Sequence, residues 1–401
     1  MVKKEGRVLL IVGIIAEYNP MHNGHIYQIN YAKNVLKADK VIVIMSGSFT
    51  QNGNISLIDK FSKANIIISN NADLVIELPT IYATSSSENF TKGAIKLLDS
   101  LNVVDCILFG AECNNINTLK NISRKLIDNE NIIKEKISNE EKSLTYAKAR
   151  ANVLKEYLTK DEFNEINKPN NILGLSYISN LIKLNSNIHP ICITRVDGIS
   201  STIIRESLRL NDFSYLKENT PEEVYNYLIN VNNNIYTNNN YLDKMYQLIR
   251  YNVIFKSTSS LSNIYEVAEG LENKVKLEII NNLNYNDFLT SIKSKRYTLA
   301  RIKRLLINIL LNITKDFYDN HTLNTEVYAH ILKASDSGKL LISNISKNST
   351  IPIIHSYKES CLNKLNLNNN ILELINLDVL SSNIHSILFN KSLNTDFTNK
   401  L

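Results

Sequence analysis

The sequence predicts an α/β protein: a parallel sheet covered by helices, followed by a mainly helical domain. Three observations lead there. Short runs rich in Val and Ile recur through the first half, stretches of helical period separate them, and beyond about Leu210 the strand pattern gives way to amphipathic spacing. Short continuous apolar runs mark strands buried on both faces, and the intervening stretches have the length that a parallel crossover needs.

The first strand is read at Val8 to Ile15, preceded by Lys3, Lys4 and Arg7. A charged start and an apolar run also outline a short signal peptide. The run breaks into Glu17-Tyr18-Asn19-Pro20 with no small-residue cleavage site, so a buried strand is the simpler reading. Helical periodicity follows over Gly24 to Leu36, then a strand at Lys40 to Met45, a helix over Leu57 to Ser69, a strand at Asp73 to Leu78, a helix over Glu88 to Leu101 and a strand at Asp105 to Phe109. A charged stretch from Asn117 to Glu165 reads as two or three inserted helices, and Lys168-Pro169-Asn170-Asn171 breaks the helical pattern. A fifth strand, Pro190 to Val196, completes the sheet. Leu299, Ile302, Leu306, Ile309, Leu310 and Ile313 then carry the apolar stripe of a helix. The expected division is residues 1–210, with a helical insertion at about 117–167, and residues 211–401.

The chain has 401 residues, and at roughly 100 to 200 residues per domain that excludes a single small binding module. Hydrophobic residues make up 44% and charged residues 21%, which excludes a disordered chain. Cys106, Cys113, Cys192 and Cys361 show no CxxC pairing and no His at zinc-site spacing. Neither a zinc ribbon nor a disulfide framework is expected, and a reducing, cytoplasmic setting fits. No other run reaches the ~18 apolar residues that span a bilayer, so no membrane partner is expected. The net charge of +6 permits a polyanionic partner without demanding one.

In a parallel α/β sheet the ligand sits beyond the carboxyl ends of the strands. Chemistry is therefore sought in Glu17 to His25, Ser46 to Gly53, Pro79 to Thr84 and Gly110 to Glu112. The most informative of these is Glu17-Tyr18-Asn19-Pro20-Met21-His22-Asn23-Gly24-His25. Asn-Pro makes the turn, Gly24 lets the backbone approach a ligand, and two imidazoles flank it at a helix N-terminus that favours phosphate. His22 and His25 can donate hydrogen bonds to oxygens on which charge develops as an α-phosphate is attacked and pyrophosphate leaves. A metal pair is a competing reading, though a clear third ligand is missing nearby; ordinary histidines at a capped helix start are another. At the other end of the sheet, Ile199-Ser200-Ser201-Thr202-Ile203-Ile204-Arg205 follows the fifth strand and starts a helix, with hydroxyl side chains at its cap.

HxGH after the first strand with ISSTxxR after the last resembles the HIGH-type nucleotidyltransferase superfamily, which implies a Rossmann-like nucleotidyltransferase domain that binds ATP. The resemblance gives His22 and His25 a role in stabilising the transition state, and gives Ser201 and Arg205 the β- and γ-phosphates. Further landmarks stand in order. They are Glu17-Tyr18-Asn19-Pro20, Met45-Ser46-Gly47-Ser48-Phe49-Thr50-Gln51, Ile76-Glu77-Leu78-Pro79, Phe109-Gly110-Ala111-Glu112, Lys168-Pro169-Asn170-Asn171-Ile172-Leu173-Gly174 and Lys295-Arg296-Tyr297-Thr298. Together they resemble the bacterial tRNA(Met) cytidine acetate ligase family. The resemblance implies that acetate and ATP, with Mg2+, give acetyl-adenylate, which acetylates the wobble cytidine of elongator tRNA(Met). It places the nucleotide on Ile15 to Gln28, that is on Ile15, Ala16, Glu17, Tyr18, Asn19, Pro20, His22, Asn23, Gly24 and His25, and on Gly110, Asn170, Arg195, Ser201 and Arg205. Each of the outlying residues has a plain alternative: Gly110 as a strand end, Asn170 as a helix cap, Arg195 as a partner of Asp197. Family members often carry Arg after the Gln of the MSG-F-Q landmark, where this chain has Asn52; Lys60 and Lys63 are candidate replacements.

The segment from Lys293 to Arg304 holds six cations and no acid. Such a cluster can neutralise RNA phosphates, which makes Lys293, Lys295, Arg296, Arg301 and Arg304 candidate tRNA contacts, with Tyr297 placed to stack on a base. A solvated helix face is the alternative. Two other functions compete with the ligase: a cofactor-type adenylyltransferase that makes a dinucleotide from ATP and a small phosphate ester, and an RNA-binding protein that keeps the nucleotide fold as scaffold.

Overall fold

The computed structural model describes residues 3–4, 7–113, 115–141, 146–195, 198–230, 240–268, 270–294 and 297–398. Strands β1 (Lys3–Lys4) and β2 (Arg7–Val8) form a small antiparallel ladder of their own. The main sheet takes β3 (Ile11–Ala16), β4 (Lys40–Ser46), β5 (Leu74–Leu78), β6 (Cys106–Ala111), β7 (His189–Thr194), β8 (Ala329–Ala334) and β9 (Ile353–Ile354) in the order β7-β6-β3-β4-β5-β8-β9. The five strands expected from the sequence pair in parallel. The order of strands reverses at β3, since β4 and β5 lie on one side of it and β6 and then β7 on the other.

Burial explains the strands. Ile11, Val12 and Ile14 of β3, Val41 to Met45 of β4 and Leu74 to Ile76 of β5 are completely enclosed, and each such side chain is worth about 1.5–3 kcal/mol over leaving it exposed. Carboxylates at the amino ends of the strands set the register. Asp39, Asp105 and Asp73 accept from the backbone N–H groups of Leu10 (2.9 Å), Ile11 (2.7 Å) and Val41 (2.8 Å), so that edge satisfies its own donors. The carboxyl edge is left to the loops.

Helices α1 (Asn23–Asn34), α2 (Lys60–Ser69), α3 (Thr80–Ala83) and α4 (Ser87–Ser100) lie in the crossovers. The second starts at Lys60 and not at Leu57 because Asp59 is its cap, accepting from Ser62 N at 2.9 Å. The insertion holds four helices among the described residues, α5 (Ile116–Asp128), α6 (Glu130–Glu140), α7 (Tyr146–Tyr157) and α8 (Lys160–Glu165). The extra break falls at Asn129, which ends one helix and begins the next. The KPNN segment opens α9 (Pro169–Lys183), with Pro169 at the first helical position, where its missing N–H costs nothing.

After β7 come α10 (Ser201–Arg209), α11 (Phe213–Asn219), α12 (Glu222–Asn230), α13 (Asn240–Phe255), α14 (Thr258–Ser262), α15 (Leu271–Asn281), α16 (Tyr285–Ile292), α17 (Leu299–Leu311), α18 (Lys315–Thr322), α19 (Asp336–Asn348), α20 (Glu359–Leu362), α21 (Asn369–Leu388) and α22 (Thr395–Thr398). The second half is thus mainly helical, with one difference from the sequence reading. Strand β8 pairs antiparallel with β5, and β9 pairs with β8, so residues 329–354 extend the nucleotide-side sheet. Its sequence, AHILKA, holds few β-branched residues; burial of Ala329 to Leu332 against the sheet overrides weak strand propensity. Helix α21 is long and apolar enough to cross a bilayer by length and composition, yet 61% of that span is buried in the fold. Its Asp378 accepts from Thr80 N (2.7 Å) and its His385 bonds Ser56 O (2.7 Å), as a core helix does.

Candidate active site

The turn after β3 is tied down before any ligand enters. Asn19 is buried and bridges to the neighbouring loop, its amide nitrogen donating to Ile55 O (2.8 Å) and its amide oxygen accepting from Leu57 N (2.9 Å). The Asn19–Pro20 peptide is cis. Helix α10 grips the same turn from the opposite side: Arg205 Nη1 donates to Asn19 O (2.6 Å) and Ser201 Oγ to Pro20 O (3.1 Å). The HxGH and ISSTxxR segments therefore meet although a strand separates β3 from β7.

The two histidines form a reciprocal cap on α1. His22 Nδ1 accepts from Gly24 N at 3.2 Å, and His25 Nδ1 accepts from His22 N at 3.1 Å. Their rings stack with centroids 3.8 Å apart, and Tyr18 meets His25 edge-on at 4.7 Å. Burial, with Arg195 nearby, pulls His22 down to about 4; burial, then His22 and Arg195, holds His25 well below the ordinary histidine range. Both imidazoles are neutral at pH 7. A neutral ring whose Nδ1 accepts a hydrogen bond carries its proton on Nε2, so each ring is a donor at Nε2 and offers no lone pair there to a metal. Gly24 serves this packing directly, since a Cβ would lie 3.0 Å from His22 Cε1.

Around the histidines lies a cleft of about 340 Å³ at the carboxyl ends of β3, β6 and β7. Its lining includes Ile15, Ala16, Glu17, Tyr18, His22, Gly24, His25, Gly110, Asn170, Arg195, Ser201 and Arg205. Gly110 lies inside β6 and not at its end; a Cβ there would meet no protein atom within 4 Å, so the open space above it belongs to the cleft. Asn170 is the second residue of α9 and not its cap. Its backbone and side-chain nitrogens donate to Glu112, at 3.1 Å and 2.7 Å for the closest pairs, locking KPNN to the FG-E segment. Arg195 Nη2 donates to Ile199 O at 3.3 Å; Asp197 lies outside the described residues.

Three residues of the expected nucleotide segment do not line the cleft: Asn19 and Pro20 form the turn that α10 grips, and the Asn23 side chain points to Glu218 O at 2.8 Å. The candidate cations for Asn52 are also corrected. Lys60 is buried between Glu77 and Asp396, and Lys63 is buried against Ser46 O (2.7 Å) and Gly47 O (2.8 Å), so neither reaches a ligand in the cleft. Asn52 itself lines it, beside Arg205. Glu17 accepts from Gln51 N at 2.6 Å, and burial raises its pKa against the pull of that bond, Arg205 and Lys63.

Sequence reasoning gave Gln51 and Leu173 only within landmarks and Asn52 only as the departure from a family Arg, and missed Phe90 of α4 and Tyr177 of α9; all of these line the cleft. Nothing local in the sequence distinguishes a helix aromatic in the core from one at the edge of a cavity.

The basic segment divides. Lys293 is exposed and Arg301 is partly so, its guanidinium 4.6 Å over the Tyr297 ring. Lys295 and Arg296 lie outside the described residues. Arg304 is no RNA contact: it is buried, paired with Glu266 at 2.7 Å, and donates to Gln51 O at 3.3 Å. Its neighbour Lys303 donates to Asn54 Oδ1 at 2.9 Å, so α17 is fastened to the loop that roofs the cleft.

Known proteins share this arrangement. A family model described as HIGH Nucleotidyl Transferase matches residues 9–400. The chain is 36% identical over 404 residues to the tRNA(Met) cytidine acetate ligase of Clostridium botulinum (strain Kyoto / Type A2), covering 95% of each chain. It is 32% identical over 397 residues to the protein of that name from Thermoanaerobacter sp. (strain X514), covering 95% of this chain and 96% of the other. A crystal structure of Thermotoga maritima TmcAL bound with alpha-thio ATP superposes with a TM-score of 0.89 at 29% identity, over 98% of both chains.

Proposed function

Because the chain belongs to the tRNA(Met) cytidine acetate ligase family of HIGH nucleotidyl transferases, we propose that it is an ATP-dependent ligase that activates acetate as acetyl-adenylate and acetylates the wobble cytidine of elongator tRNA(Met) to 4-acetylcytidine. The observation that carries this reading is the tautomer that the backbone imposes on His22 and His25, which leaves a neutral Nε2–H donor on each of two rings lining a cleft at the N-terminus of α1. Acetate oxygen attacks the α-phosphorus, the bond to pyrophosphate breaks, and the two Nε2–H groups stabilise the oxygens that gain charge. Neutral donors suit this step because they need no proton transfer of their own.

In the second step the cytidine amine attacks the acyl carbon, a C–N bond forms, and AMP leaves as the mixed anhydride breaks. The freed phosphate oxygen takes the proton that the amine sheds. Gly110, Asn170 and Arg195 line the side proposed for the nucleotide, and Ser201 and Arg205 the side proposed for the outer phosphates. Among the described residues Glu17 is the one carboxylate lining the cleft, and it is already hydrogen-bonded. Mg2+ would accompany the triphosphate and supply neutralising charge there, with Glu17 as the one cleft carboxylate available to it among the described residues. The four cysteines are free thiols, in keeping with a cytoplasmic setting. Relatives matched end to end and a second half fastened to the cleft do not favour the cofactor-type adenylyltransferase.

The test is incubation with labelled acetate, ATP and total tRNA, followed by nucleoside analysis. Labelled acetylcytidine with AMP and pyrophosphate is expected. Release of ADP and orthophosphate, or acetylation from acetyl-CoA without ATP, would overturn the reading.

A further inference from the structure

Behind the nucleotide cleft lies a second, larger chamber of about 740 Å³, walled by both halves of the chain. Loop 52–57 and α10 close one side; α13, α16 and α17 close the other through Tyr241, Tyr285 and Ala300. The two spaces share Asn52, Asn54, Thr202 and Arg205 in their linings, so they adjoin along one wall. We infer that this chamber receives a single nucleotide turned out of an RNA loop and presents the amine of its base through the shared seam to the acyl-adenylate.

The inference rests on the ligase reading and deepens it. Room argues first: the cleft of about 340 Å³ is taken up by the triphosphate and acetate, and the adjoining chamber of about 740 Å³ lies within the roughly 300–1,000 Å³ of small-molecule sites, space enough for the second substrate. Geometry argues next, because a base must leave its stack to bring an exocyclic amine within bonding distance of a buried acyl carbon. The lining has the required chemistry. Tyr241 and Tyr285 supply aromatic surface, and Arg205 and Lys303, beside the Glu206–Arg209 ion pair, supply positive charge for the flanking phosphates, the combination by which proteins take up unstacked nucleotides. The placement agrees as well: Leu299, Ala300 and Lys303, which line the chamber, share α17 with the partly exposed Arg301 of the basic segment.

Two experiments on the full chain test this. In the first, Ala300→Trp fills the chamber from a position that does not line the cleft. Acetate-dependent exchange of pyrophosphate into ATP should stay within about twofold of the parent, while acetyl transfer to tRNA falls by at least about 10²-fold; transfer at the parental rate would overturn the proposal. In the second, which needs no variant and so no refolding control, an anticodon stem-loop carrying 4-thiouridine at the wobble position is photo-crosslinked to the parent protein. Crosslinks in residues 240–249 or 283–292 are expected, and crosslinks confined to residues 293–301 would overturn it. If the parent shows no acetate-dependent exchange at all, the ligase reading itself fails and takes this inference with it.

Discussion

Two polar clusters sit on one sheet and have opposite fates. At the cleft between β3 and β7, His22, His25, Glu17 and Arg205 use one side of each group to hold the backbone and leave the other toward an open cavity. Across the sheet, where β5 meets β8, the groups pair with one another. Lys60 Nζ lies 2.8 Å from Glu77 Oε2 and 2.5 Å from Asp396, His330 Nδ1 is 2.8 Å from the same Glu77 oxygen, and Tyr328 bonds both Asp378 and Tyr357. Glu77, His330 and Asp396 come close enough together for a metal site, but the Lys60 ammonium already bridges both carboxylates. Charge alone does not mark a functional site. What separates the two clusters is whether polar atoms are directed into space that the protein does not fill.

Removing Lys60 breaks the closed cluster most severely. Lys60→Met leaves Glu77 and Asp396 facing each other in a dry interior, and losing one partner of a buried pair typically costs about 3–5 kcal/mol. Urea unfolding should show most of the stability gone; a change below about 1 kcal/mol would mean that water or the tail relaxes around the vacancy. Arg304→Met should destabilise on a similar scale, because Glu266 is equally enclosed.

The open cluster responds in rate and not in fold. His22→Ala or His25→Ala should slow acetyl-adenylate formation by about 10²-fold or more, since one preorganised donor is worth ~3 kcal/mol in the transition state, while circular dichroism stays unchanged. Near-parental turnover by either variant removes that ring from the mechanism.

A smaller and shared effect follows from pH. Burial lowers His22 to about 4, His330 to about 3 and His385 to about 4. Such a histidine costs nothing above its unfolded value of about 6.5. As pH falls from there toward the folded value, the unfolded chain takes up the proton first, and stability is lost over that window. Denaturation midpoints should decline between about pH 6.5 and the value near 4 of His22, and His385→Gln, which keeps a donor for Ser56 O, should decline less steeply. Adenylate formation should show no inflection near 6.5.

The smallest effect belongs to the outer surface. Lys293→Ala and Arg301→Ala should each flatten the log-log salt dependence of tRNA binding by about 1 without changing ATP affinity. A slope unaltered by both would assign this face to solvent.

The parallel strands, the capped helix starts and the order of the two nucleotide motifs were legible because each rests on neighbours in sequence: apolar runs, an Asn-Pro turn, a Ser at a helix start. What the sequence by itself determined is this local frame, including which nine residues carry the HxGH turn. Only the tertiary structure decided what the charges do. Arg304 stands in the basic segment like Arg301, yet Glu266 and the carbonyl of Gln51 enclose it; Lys60 and Lys63 stand in the first turn of the second crossover helix like surface lysines, yet the partners of Lys60 include Asp396, more than three hundred residues away. Strand β8 was hidden for the same reason, its pairing with β5 depending on a surface that AHILKA does not encode. Periodicity and caps report on backbone geometry within a few residues, whereas burial and ion pairing depend on which distant segments the fold brings together.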